Sequence, residues 1–163
     1  MLIANCKVPR IEPSWMLFQN KEEIEVGLLP DTLAVDDISA YGVGCYQAFP
    51  HIDDTFPDVY FVILVAQSYH HVLSDASIYP REYILKKGDL VIIDPMEMHW
   101  LYQAPQSSSR FRRRGYWFGI EWEVPKKNND DNLKHFVSAV VAQFHGKWKG
   151  RYDAGNYANL LPT

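Results

Sequence analysis

Two short stretches hold most of the side chains in this chain that could do chemistry. In the first, Pro50 delivers His51, Ile52, Asp53 and Asp54 into a loop or strand start; in the second, a break at Asp94-Pro95 is followed by His99, which re-enters an aromatic segment. By themselves, His51 and His99 read as pocket-lining polar residues and Asp53 and Asp54 as an exposed acidic turn. His70 and His71 are adjacent, so on a strand they point to opposite faces and do not chelate one ion together; His71 is kept as a pocket candidate. The chain has no Ser/His/Asp elbow, no Gly-rich phosphate loop and no Cys-x-x-Cys pair, which sets those enzyme classes aside.

His99 belongs to a longer unit, Tyr83 to Tyr102, that gives the rest of the chain its frame. Lys86, Lys87, Gly88 and Asp89 form a polar turn, Leu90 to Ile93 a β-branched apolar run, and Asp94-Pro95 a break. This unit resembles the second motif of the cupin superfamily, a Gly-Asp turn, a short strand, a proline turn and a metal-binding histidine. Gly88 and His99 stand at the family's spacing; the proline is displaced by one place to Pro95, Met96 replaces the second glycine, and Gln103 replaces the terminal asparagine. In the places of the first cupin motif, a glycine, a His-x-His pair, a glutamate and a second glycine, the chain has Gly44, His51, Asp53, Asp58 and Val65. One histidine is retained, and the second histidine and the glutamate are both aspartate. The resemblance spans residues 44–103.

The resemblance implies an all-β double-stranded β-helix, a jelly-roll barrel, and a metal site drawn from His51, Asp53 and His99, with Asp58 fourth by position. Two imidazoles and a carboxylate leave coordination positions open and suit Fe, with Mn, Ni or Zn as further choices. Small cupins are also similar to the ligand-sensing domain of AraC-type regulators; with no helix-turn-helix region following, direct gene regulation is not expected.

The elements that must position these residues follow from period. Residues 1–14 carry Pro9 and Pro13 and little periodicity, and are expected to be an arm. Trp15 to Phe18 and Ile24 to Leu28 read as strands, and Thr32 to Phe49 as a strand pair turning at Asp36-Asp37, with Gly42 and Gly44 marking a bulge. Val59 to Gln67 is apolar almost throughout, as a strand covered on both faces must be. Arg113 to Val124 alternates around Tyr116, Phe118, Ile120 and Trp122, a long strand. Leu133, Phe136, Val137, Val140, Val141 and Phe144 recur at steps of three and four, predicting a helix over 131–146, opened by an Asp131 cap and ended by Gly146 in a left-handed conformation. The tail after it has aromatics but no period, and is expected to fold back or to join a neighbour.

With 163 residues, 47% hydrophobic, the chain suits one domain with a well-buried core. A net charge of −4 argues against a nucleic-acid surface, and the Arg110 to Arg114 cluster reads as a solvated turn or, alternatively, an anion-binding or substrate-carboxylate patch. Two cysteines, no leader-like N-terminus and no apolar run of spanning length point to a cytoplasmic protein away from membranes. A barrel of this size can enclose one small molecule, lined by Tyr46, Tyr60, His71, Trp100, Tyr102 and Trp117, with Trp122 as a further candidate. Three functions follow: a small-molecule-binding cupin; a divalent-metal-dependent cupin enzyme of oxygenase or isomerase type using His51, Asp53 and His99; or a dimeric interaction module without ligand. The apolar stretch near Trp15 and the aromatic tail predict a homodimer.

Overall fold

A strand that is apolar at nearly every position needs cover on both sides, and Val59–Gln67 lies at the centre of the computed structural model with a layer against each face. The described residues are 2–8, 22–23, 38–75, 82–104, 115, 117–127 and 131–148. In chain order they form β1 (Leu2–Asn5), β2 (Glu22–Glu23), β3 (Ser39–Cys45), β4 (Ala48–His51), β5 (Val59–Gln67), β6 (His71–Asp75), β7 (Glu82–Ile84), β8 (Asp89–Ile93), β9 (His99–Gln103), β10 (Trp117–Pro125), α1 (Asp131–Gln143) and β11 (Lys147–Trp148). The protein is mostly β, with two antiparallel sheets: one of seven strands in the order β11-β1-β8-β5-β10-β3-β2, and one of four in the order β4-β9-β6-β7.

Alternation along the central strands builds both layers of core. Val62 and Leu64 of β5, Leu90 and Ile92 of β8, and Ile120, Trp122 and Val124 of β10 face outward to α1, which returns Leu133, Phe136, Val137, Val140 and Val141. The Trp122 and Phe136 rings meet edge-on at 5.4 Å. The alternate residues, Phe61, Ile63 and Val65, Val91 and Ile93, and Trp117, face the four-stranded sheet and meet Leu73 and Leu101 there. Each such side chain contributes about 1.5–3 kcal/mol by leaving water. Neither sheet closes on itself among the described residues; the two sheets face each other with an apolar layer between them.

Several expectations are corrected. Residues 2–5 are not a draped arm: β1 pairs with both β8 and β11, and Ala4 is fully buried under the helix. The start of the tail folds back onto that sheet, in line with one of the two courses expected for it, as β11 pairs with β1. Gly42 and Gly44 mark no bulge, because β3 and β10 keep one register from Cys45 to Ser39. The irregularity falls instead between β10 and β5 at Phe118 and Gly119, where a Cβ on Gly119 would lie 2.3 Å from the Leu64 carbonyl oxygen. At the helix C-terminus the left-handed residue is His145 (φ 49°), not Gly146. The His145 N–H donates to the Ala142 carbonyl at 3.3 Å and the Gly146 N–H to that of Val141 at 2.7 Å, a Schellman pair shifted one residue earlier than predicted. The strands expected at Trp15 to Phe18 and Ile24 to Leu28, the Asp36-Asp37 turn and the Arg110 to Arg114 cluster lie outside the described residues.

The Gly88-Asp89 turn is the joint on which β8 is hung. Gly88 adopts φ 89°, and a side chain there would strike the Cys6 carbonyl oxygen, which passes 2.1 Å from the Cβ position. Its N–H donates to the Val65 carbonyl and its own carbonyl accepts from the Cys6 N–H. The fully buried Asp89 carboxylate accepts from the Lys86 N–H at 2.8 Å and from Asn5 Nδ2 at 2.9 Å, which offsets its desolvation. Strand β8 is thereby fixed in register before the chain reaches Asp94 and the site.

Candidate functional site

His51 and His99 come from stretches 48 residues apart in sequence and meet because β4 and β9 are neighbours, with the two histidines directly opposite across the ladder. Residues paired in this way put their side chains on one face, and the rings lie 4.4 Å apart, centroid to centroid. Strand β4 is the edge of its sheet, the place where Pro50 is tolerated. Its register shifts between Ala48 and His51, a bulge that aims the imidazole.

Both rings are oriented by the backbone. His51 Nδ1 lies 2.6 Å from the Phe49 carbonyl oxygen and His99 Nδ1 lies 2.8 Å from that of Glu97. A carbonyl oxygen only accepts, so each Nδ1 carries the proton and each Nε2 is turned to the shared space between them. There stands the Asp53 carboxylate, with Oδ2 at 3.3 Å from His99 Nε2 and 3.7 Å from His51 Nε2. The three donors lie within 4.8 Å of one another.

Asp53 is held by its main chain, its N–H donating to the Pro95 carbonyl at 2.8 Å and its carbonyl accepting from the Phe56 N–H. The Asp94-Pro95 break is therefore part of the site. Asp94 Oδ1 accepts from the Met96 N–H at 3.0 Å and from Lys126 Nζ at 2.8 Å. The Asp94 carbonyl accepts from the Glu97 N–H, so one tight turn carries both the anchor of His99 and the anchor of Asp53.

Electrostatics at His99 oppose one another. Burial pushes its pKa down, but the hydrogen bond with Asp53, the Glu97 carbonyl and the charges of Asp53 and Glu121 together outweigh it, and the net shift is upward. Glu121 is the functional candidate that sequence reasoning missed. It is only 4% exposed, on β10, and lines the same cavity from the facing sheet. Ile120 and Trp122 of β10 face the helix; the signal on the other side is a carboxylate at an inward position of a strand buried on both faces.

Behind the three donors lies a cavity of about 180 Å³ between the sheets, walled by side chains such as Val43, Ile63, Leu73, Val91, Leu101 and Trp117. Of the residues expected to line a pocket, Trp100 and Trp117 do, and Trp117 Nε1–H donates to Cys45 Sγ at 3.1 Å. Tyr46 is half exposed, Tyr60 packs on the helix side, and Tyr102 donates its hydroxyl to Glu82 at 2.9 Å; none of these lines the cavity. Trp122 is core beneath α1. His71 is fully buried outside it: the Tyr69 N–H donates to its Nδ1 at 3.1 Å and its Nε2–H donates to the Tyr46 carbonyl at 3.1 Å, with burial lowering its pKa, so it is a neutral structural histidine. Asp58 is exposed and outside the three-donor group; its carbonyl accepts from the Lys126 N–H. The Cys45 thiol, facing the cavity, is pushed up by burial against the smaller opposing effect of Trp117, which keeps it from acting as a thiolate.

The donor set could hold a metal ion. Bonds of about 2.1 Å place adjacent ligand atoms of one ion about 3–3.5 Å apart, close to the spacings around Asp53. Imidazoles anchored through Nδ1 to an acceptor are the usual outer arrangement of metal-ligating histidines. A comparison with models of known protein families finds no match, and a comparison with curated protein sequences finds none. Among the described residues, no helix is long and apolar enough to cross a membrane.

Proposed function

We propose that this protein binds a small organic molecule in the cavity between its sheets, beside a divalent metal held by His51, Asp53 and His99. The observation that carries the reading is the pair of Nδ1 anchors, which direct both Nε2 atoms to one carboxylate at the cavity wall. Two imidazoles and a carboxylate on one side of an ion leave positions open on the other, the arrangement of non-haem iron oxygenases. When bound, such a metal supplies Lewis-acid polarisation of a substrate oxygen or oxygen activation. The chain's own residues contribute orientation through Asp94 and Lys126, a dry apolar wall that excludes water, and in Glu121 a buried carboxylate whose charge is felt at His99.

The strand order supports the cupin reading of the fold. Strands β3-β10-β5-β8 face β4-β9-β6-β7, and consecutive strands from β3 to β10 cross between these two four-stranded arrays at every step except the β6-β7 hairpin, which is the winding of a jelly roll. The positive-φ Gly88 before β8 and the His51 and His99 pair across β4 and β9 support the same reading. The test is elemental analysis after dialysis against Fe(II), Mn(II), Ni(II) or Zn(II). One equivalent of one of these metals retained per chain supports the reading; none retained from any of the four contradicts it.

A further inference from the structure

Building on that reading of the site, we infer that the cavity selects a small hydrocarbon-rich molecule, a single ring or short branched chain of up to about nine heavy atoms with one hydroxyl or carbonyl oxygen, and rejects sugars, nucleotides and polyanions.

Size sets the first limit. A cavity of about 150 Å³ accepts benzene, and this one is about 180 Å³. Chemistry sets the second. Among the described residues that line it there is no lysine, arginine, asparagine, glutamine, serine or threonine. A phosphate or dicarboxylate would find no lysine or arginine to pair with beyond the single metal ion, and would face the carboxylates of Asp53 and Glu121, and a sugar's hydroxyls would be buried largely without partners. The distribution of polarity sets the third. His51 and Asp53 side chains are 38% and 33% exposed, whereas Val65, Leu85 and Val91 are almost completely buried. The wet, donor-bearing end and the dry end thus define an axis along which a molecule lies with its apolar body inward and its oxygen at His51, Asp53 and His99.

The test uses the full chain stripped of metal by chelation, so that ligand class is read independently of the ion, with toluene, phenol and glucose as probes in calorimetric titrations. Toluene and phenol bind and glucose does not; Val43→Phe, which fills the cavity from the large sheet, weakens both by at least about tenfold. Nuclear Overhauser contacts from bound toluene in the wild type fall on the Leu73 and Leu101 methyls, a readout that stands if Val43→Phe does not fold. Glucose binding more tightly than toluene, no binding of toluene or phenol, or toluene contacts on residues outside the cavity overturns the inference. Metal titration of the same preparation separates the two claims: apolar binding without metal uptake leaves the ligand class standing and removes the metal, and metal uptake without apolar binding does the reverse.

Discussion

Replacing Asp94 by alanine tests whether the site is positioned from outside its three donors. Asp94 touches none of them, yet its turn carries the Glu97 carbonyl that orients His99 and the Pro95 carbonyl that holds Asp53. The substitution removes a 2.8 Å ion pair with Lys126, whose partners are about one-fifth exposed, and a hydrogen bond from the Met96 N–H. Solvent-screened, the pair contributes about 1 kcal/mol and the hydrogen bond about 0.5–1 kcal/mol. The expected loss is therefore about 1.5–2 kcal/mol, or about 3–8 °C in Tm for a chain of this length. Loosening two anchors of a ligand set lowers metal affinity about 10–100-fold. Lys126→Met, which breaks the ion pair and spares the Met96 hydrogen bond, lies between wild type and Asp94→Ala in both quantities. Thermal melts of the metal-free proteins and calorimetric metal titrations measure the two effects. A lower Tm with metal affinity within about twofold of wild type would refute the argument, since the turn would then stabilise the fold without positioning the ligands.

The remaining expectations are these. The folded-state pKa of His99 is raised, so its protonation stabilises the metal-free protein fully below the unfolded value of about 6.5, and that contribution is lost as pH rises through the folded value; His99→Gln abolishes this part of the pH dependence of Tm, and an unchanged profile contradicts it. Metal affinity runs the other way across the same window, rising with pH as the proton leaves Nε2. Gly88→Ala costs about 2 kcal/mol or more, because φ 89° is strained for alanine and its Cβ meets the Cys6 carbonyl; denaturant melts showing less than about 0.5 kcal/mol would mean that this turn is not needed to hang β8. The sequence predicts a homodimer, and light scattering that gives the mass of one chain at micromolar concentration contradicts that.

The long regular elements were legible in the sequence because their patterns are dictated locally. Val59–Gln67 reads as covered on both faces from composition alone, and the helix from its steps of three and four. What escaped was set by distant partners. Leu2–Asn5 has too few residues to show a period, and it is a strand because β8 and β11 flank it. Gly42 and Gly44 carry the usual mark of a bulge, but the irregularity falls at Gly119, where the backbone of Leu64 presses against it. In the site, His51, Asp53 and His99 were reached through motif places, whereas Glu121 needed knowledge of which face of β10 looks inward. The aromatics Tyr46, Tyr60 and Tyr102 were plausible walls by residue type, and only the sheet assignments place them elsewhere.

The central claim, that His51, Asp53 and His99 form a metal centre, is tested most directly by calorimetric titration of wild type and His99→Ala with Fe(II), Mn(II), Ni(II) and Zn(II), beside thermal melts of each. The account predicts one site per chain in the wild type for at least one of these ions. In His99→Ala that affinity falls by about 100-fold or more while the protein still unfolds cooperatively, because one of only two imidazole ligands is gone. A wild type that binds none of the four, or a His99→Ala protein that binds as tightly as the wild type, contradicts it.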